Sequence, residues 1–548
     1  MRSLTVLSSL LLTSALYGSA QAAQVPPLAE HLPAGALMTF ETRNAGSLIA
    51  RVGKLVGAVA LGETEGAGAL TEMVGSVLGQ DATVGVFTVT GPRGTFAPAL
   101  LAVARPNAEG RKLLAAMMPK KKGAKVGVYP FVRSEDDLFI GQAEGVAYAS
   151  TDKSLLMAYL SRLSGKDAPR LLNSAAYTTP MRSVGGQEAR MFVNFSAAAK
   201  VARSALAEWH VPRLLSPVVD ALDTLGQWAG GMSTTVQGWS TVSVHLPNPQ
   251  GRDRPLYALL TPTTTFRVQE LIPADAEAVQ ASACHPGAGS YLGRWLTRVD
   301  LLDPLGFLTD TQLASHLERS GQYLGGECAQ VTLAGGTKAG FNMSDPAAGL
   351  GYTVWYQRVE DLDAARAHLP EFARSVNAAL GALPGTLRGM ASGAGSAVSA
   401  GGKTRLPGAA AGAMAEGLGE LDAVLKNLKF SYGFRGDYLI VGLSDAAVQK
   451  ALKEGGEGLL GSADFRAANL SMTGGGWQYA RNLPDLTEKD MAAMMFGADE
   501  EADMMMEMFG DVYADVLNRY DGMSAQRTVS ALPSGHLILT KSRVKFRW

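Results

Sequence analysis

The chain is short of cysteine and of charge. Of its 548 residues two are cysteines and 18% are charged, where about a quarter is usual for a soluble chain. Basic and acidic residues nearly balance, 49 against 50, so the basic excess of a nucleic-acid binder is missing. Beyond the first few dozen residues no apolar run approaches the ~20 needed to cross a bilayer as a helix. No CxxC pair, HExxH or G-x-S-x-G motif occurs, which removes the short-range signatures of dithiol exchange, zinc hydrolysis and the nucleophile elbow. What is plentiful is glycine, 63 residues, and apolar side chains, 47% of the chain. That much apolar material fits a folded protein of several domains and excludes a disordered one.

The start of the chain reads as an address. Arg2 precedes an apolar stretch from Leu4 to Leu16, and Ser19-Ala20-Gln21-Ala22 offers a small-residue cleavage site, the layout of a secretory signal peptide over residues 1–22. The expected product is exported to periplasm, cell envelope or medium, with no transmembrane span after cleavage. In an oxidising compartment Cys284 and Cys328, both in strand-like segments, either pair or stay as two buried thiols.

Landmarks recur in the same order along the chain. Leu32-Pro33-Ala34 returns as Ile272-Pro273-Ala274, and Val146–Asp152 as Leu439–Asp445, each a strand ending in a helix cap. Leu171–Tyr177 returns as Leu459–Phe465, and Gly231-Met232-Ser233 as Gly522-Met523-Ser524. The ordered set predicts two related domains in tandem, 23–270 and 271–548. Strand-like alternation between single helical stretches makes each α+β, with mostly antiparallel sheet. Pro255–Leu260 reads as a closing strand. Residues 378–418 are a Gly/Ala-rich insertion in the second domain, expected as a flexible excursion because glycine at that density disfavours helix.

The signal peptide, the Leu32-Pro33-Ala34 opening into a strand and its recurrence at Ile272-Pro273-Ala274 resemble the bacterial domain of unknown function 3352 family. The resemblance implies an exported bacterial protein. It brings no catalytic residues with it.

Several fragments imitate catalytic motifs and fail on context. Gly402-Lys403-Thr404 lacks the leading glycine and strand of a P-loop, and Gly456–Gly461 spells GxGxxG after a helix instead of a strand. Ser150-Thr151-Asp152-Lys153 matches S-x-x-K but reads better as a helix cap. The seven histidines are scattered, although a long-range assembly stays open. The expectation is therefore a non-enzymatic protein without cofactor.

Two segments invite a binding role. Met491, Met494, Met495, Met504, Met505 and Met508 crowd one stretch. Thioethers suit Cu(I), but the same spacing gives an adaptable apolar helix face for packing or for a hydrophobic ligand. Lys541, Arg543, Lys545 and Arg547 alternate with Ser542, Val544, Phe546 and Trp548. As a strand this gives one cationic face, either an anionic contact or an edge guarded against aggregation. The functional expectation is an envelope protein binding a lipid or other hydrophobic ligand. A scaffold for other envelope proteins and an unrecognised hydrolase are the alternatives.

Overall fold

The computed structural model describes residues 28–43, 81–90, 96–118, 123–134, 137–166, 169–208, 216–235, 238–298, 312–340, 348–401, 428–453, 457–481 and 520–546. The fold is α+β, and its sheets are antiparallel throughout the described strand pairs. In chain order the strands are β1 (Met38–Arg43), β2 (Asp81–Thr90), β3 (Phe96–Ala104), β4 (Ala124–Val126), β5 (Tyr129–Arg133), β6 (Phe139–Ala143), β7 (Val146–Ser150), β8 (Ala189–Asn194), β9 (Gln227–Thr235) and β10 (Gly238–Leu246). They continue as β11 (Thr264–Thr265), β12 (Ala278–Cys284), β13 (Leu324–Thr332), β14 (Thr353–Val359), β15 (Ser431–Arg435), β16 (Tyr438–Gly442), β17 (Thr473–Gly474), β18 (Gly476–Ala480), β19 (Tyr520–Leu532) and β20 (Gly535–Phe546).

Pairing gives the recurring landmarks a physical meaning. One set of strands lies in the order β6–β7–β3–β2–β1–β8–β9. The other lies in the order β15–β16–β14–β13–β12–β18–β19. Strand for strand the two orders are the same. Each repeated sequence landmark sits at the same place in its set: Gly231-Met232-Ser233 in β9 and Gly522-Met523-Ser524 in β19, for example.

By contacts the chain divides into two compact units, which do not follow a cut at residue 270. One takes the described residues of Met1–Tyr257, Asp511–Asp521 and Val529–Trp548; the other takes those of Ala258–Gly510 and Gly522–Thr528. β20 belongs to the first because it pairs with β10 from Gly238↔Lys545 to His245↔Ile538.

In the first unit the core gathers Phe87, Leu101, Tyr148 and Phe192 from the sheet with Leu156, Tyr159, Tyr177 and Met181 from the helices Lys153–Leu163 and Ala175–Val184. In the second, strand alternation builds a core on each face. Tyr438 and Ile440 pack with Val448, Phe465 and Trp477, while Leu439 packs with Tyr323, Ala365 and Leu369.

Two local expectations are corrected. Pro255–Leu260 is helical, since a proline in the first turn needs no hydrogen-bond donor and already has the helical φ. The Gly/Ala-rich stretch is helical as far as Gly401, in one helix, Leu362–Gly401. Asp361 caps it, its Oδ1 accepting from the Ala364 N–H at 2.9 Å. Ala365, Leu369 and Ala373 are buried along one face, and Asn377 exchanges two hydrogen bonds with the Phe430 backbone at 2.8 and 3.1 Å. Docking of that face secures the helix ahead of its first glycine, Gly381, and the helix continues from that anchored start. Residues 402–418 and the segment read as a signal peptide lie outside the described residues. Among the described residues no helix is long and apolar enough to cross a membrane.

Candidate functional site

β20 is an interior strand, flanked by β10 and β19. This corrects the reading of its cations as guards of an open edge. The two-residue period puts Leu537, Leu539, Lys541, Arg543 and Lys545 on one face. Leu537 and Leu539 pack against the first unit's core. Beyond them Lys541 and Arg543 are exposed and Lys545 is half-buried. In register beside them are Val242, Ser240 and Gly238 of β10, then Gly231, Ser233 and Thr235 of β9. The cations thus stand on a floor of small and hydroxyl side chains. Gly238 lets the strands approach: a Cβ there, at φ +140°, would lie 2.0 Å from the Val544 carbonyl oxygen. At the same end of the strands, but on the opposite face of the sheet, Trp239 packs on Phe546 with ring centres 4.9 Å apart, and Tyr520 meets Phe546 edge-on at 6.1 Å. Arg547 and the segment holding Met491, Met494, Met495, Met504, Met505 and Met508 lie outside the described residues.

Cys284 and Cys328 are joined as a disulfide between β12 and β13, their Cα atoms 5.8 Å apart. Cys284 stands opposite Gly326 and Cys328 opposite Ser282.

The motif fragments take structural places. Asp152 caps the helix Lys153–Leu163, its Oδ1 accepting from the Leu155 N–H at 2.8 Å, and Ser150 donates to the Leu100 carbonyl at 2.8 Å. Gly458–Gly461 is a single short 3₁₀ turn.

Sequence reasoning missed the buried carboxylates, which topology alone assembles. Glu41 on β1 accepts from the Tyr177 hydroxyl and from Arg190 at 2.5 Å. Burial first, then the Glu41 carboxylate, pushes the Tyr177 phenol far up. Glu327 on β13 has no exposed surface. It accepts from the backbone N–H groups of Arg267 and Val268, the latter at 2.7 Å, and from the Tyr438 hydroxyl. Glu277 caps the Gly335 and Thr337 N–H groups, both at 2.7 Å. Burial alone would raise Asp223, but hydrogen bonds from Arg203 and Arg254 hold its carboxyl below the usual range. These four groups are pins between elements, each held by fixed donors.

The scattered histidines do converge in one place. His368, in the helix Leu362–Gly401, is fully buried. Its Nε2 lies 2.8 Å from His316 Nδ1 and its Nδ1 2.9 Å from the Tyr323 hydroxyl. The two imidazoles stack with centres 5.0 Å apart, and Phe372 stacks on His368 at 6.0 Å. Burial, with Arg319 and His316 adding to it, lowers the His368 pKa to about 4. The signal was a spacing of 52 residues, which no short motif encodes. Among the described residues no group of three or more His, Cys, Asp or Glu could hold a metal ion.

No family model matches the chain. No curated protein matches it either. Among solved structures it is similar to crystal forms IV, III and I of TP0453, at 12%, 12% and 14% identity and TM-scores of 0.22, 0.23 and 0.23. Those alignments cover 41–43% of this chain and 80–86% of the TP0453 chains. A likeness at that level carries no argument about function.

Proposed function

We propose that this chain is an exported, non-enzymatic binding protein of the cell envelope, and that the cationic face of β20 meets an anionic lipid surface. The observation that carries the reading is the interior position of β20. A strand paired on both sides needs no lysines to repel other chains, so Lys541, Arg543 and Lys545 call for another reason. Cations beside small and hydroxyl side chains suit the anionic headgroups of a lipid surface.

The test is sedimentation of the full chain with vesicles of phosphatidylcholine, alone or with about a third phosphatidylglycerol. Each cation near an anionic surface contributes about 1 kcal/mol. The triple variant Lys541→Gln, Arg543→Gln, Lys545→Gln should therefore bind the anionic vesicles about a hundredfold more weakly, with its unfolding midpoint nearly unchanged. Added salt should release the wild type. Equal binding to both vesicle types, or by both proteins, would remove the proposal. Binding of a soluble polyanion without vesicle binding would redirect it to an anionic polymer.

A further inference from the structure

The His316–His368–Tyr323 chain sets a limit on how many protons it can hold while closed. With both imidazoles neutral, the Tyr323 hydroxyl donates to His368 Nδ1, and His368 Nε2–H donates to His316 Nδ1. One added proton is absorbed by reversing the relay: His316 Nδ1–H donates to His368 Nε2, and His368 Nδ1–H donates to the Tyr323 oxygen. That state leaves the Tyr323 hydroxyl proton to find another acceptor in a site where Tyr323 is 2% exposed. A second proton puts Nε2–H against Nδ1–H, two donors and two positive charges at a contact of 2.8 Å. No arrangement of hydrogens satisfies it.

The surroundings offer little relief. On the short helix Leu313–Ser320, Arg319 faces the pair, and its charge opposes a proton there. On the long helix Glu371 favours the proton but is 3.4 Å from Arg319, which shares its charge. Arg366 is turned to the Phe434 ring, 5.7 Å from its centre. Tyr323, from the chain entering β13, bonds His368, and it packs in an apolar cluster with Val359, Ala365, Leu369 and Leu439. Phe372, apolar as well, lies against both rings, 6.0 Å from each centre.

We propose that His316, His368 and Tyr323 form an acid-opened latch on the first turns of the helix Leu362–Gly401, closed while the two imidazoles carry at most one positive charge between them and released by the second. The latch is independent of the lipid reading, because it lies in the other unit and uses none of the β20 cations. Its direction follows from linkage. A histidine that is harder to protonate folded than unfolded supports the fold when neutral. That support is complete above the unfolded value near 6.5 and is lost as pH falls toward the folded one.

Hydrogen exchange of the full chain, corrected for the intrinsic pH dependence of amide exchange, reads the opening directly. Between pH 7 and pH 4, amides in 364–376 should lose protection by about tenfold or more, while those of Lys153–Leu163 keep theirs. His316→Gln leaves a neutral neighbour whose amide oxygen accepts from a protonated His368. The selective opening should therefore vanish in this variant or move well below the wild-type midpoint. Ring nitrogen shifts of the wild type give a second reading that does not depend on any variant folding. The pair should titrate in two separated steps. Independent titration of both rings near 6.5, no selective loss of protection in acid, or the same opening in His316→Gln would each overturn the latch.

Discussion

Glu327→Ala should destabilise the second unit by roughly 3–5 kcal/mol, because it orphans three donors at once: two backbone N–H groups and a phenol, at about 1–3 kcal/mol each. Glu327 is fully buried and reaches from β13 to the Arg267-Val268 backbone and to Tyr438 on β16. Glu327 lies where β13 breaks register with β14, between Leu324 and Cys328, and its carboxylate takes up the donors of the segment entering the 3₁₀ turn Val268–Glu270. Glu327→Gln keeps the shape and one acceptor oxygen. It turns an amide N–H₂ toward a donor, so it should lose less than the alanine variant. Urea unfolding followed by tryptophan fluorescence checks both, Trp477 lying in the same core. An alanine variant within 1 kcal/mol of wild type would mean that water replaces the carboxylate and that the pin is ornamental.

Removing the disulfide should cost nearly as much. Cys284 and Cys328 are 44 residues apart in sequence, and cross-linking a loop of that length removes about 4 kcal/mol of chain entropy from the unfolded state. The double variant Cys284→Ser, Cys328→Ser should lower the stability of the second unit by up to that amount and leave the first unit's transition in place. The same comparison with and without reductant on the wild type should agree with the variant. Unchanged unfolding in both would show that the unfolded ensemble is already compact around this loop. The effect should be separable from Glu327→Ala by combining the two. The loop runs through β12 to β13, and Glu327 sits next to Cys328, so the losses are expected to be less than additive.

What could be read from the residues follows from range. The paired landmarks were legible because each is a local signal, a strand into a cap or a loop into a strand, and the two sets share one pairing order. The helix as far as Gly401 was not, because local glycine content argued against it while its anchored start, Ala365, Leu369 and Ala373, docks on a sheet assembled elsewhere. β20 gave its cationic face but not its place in the sheet. Its bond from Thr241 to Ser542 spans 301 residues, and alternation says nothing about who pairs on either side. The His316–His368 contact and the Glu327 pin share that blindness. Each is made by residues that are unremarkable in their own neighbourhoods and meet only once the strands are registered.

The pairing of β10 with β20 also sets a timetable. Nearly three hundred residues separate the two strands, so at about 5–20 residues per second of synthesis roughly 15–60 s pass between their emergence. Through that interval the edge of β10 carries unpaired N–H and carbonyl groups and can be satisfied only by water, by a helper protein or by another nascent chain. A product that stops before Gly535 would keep that edge for good. Its expected fate is edge-to-edge association or proteolysis, even though the missing segment belongs, by sequence, to the other repeat.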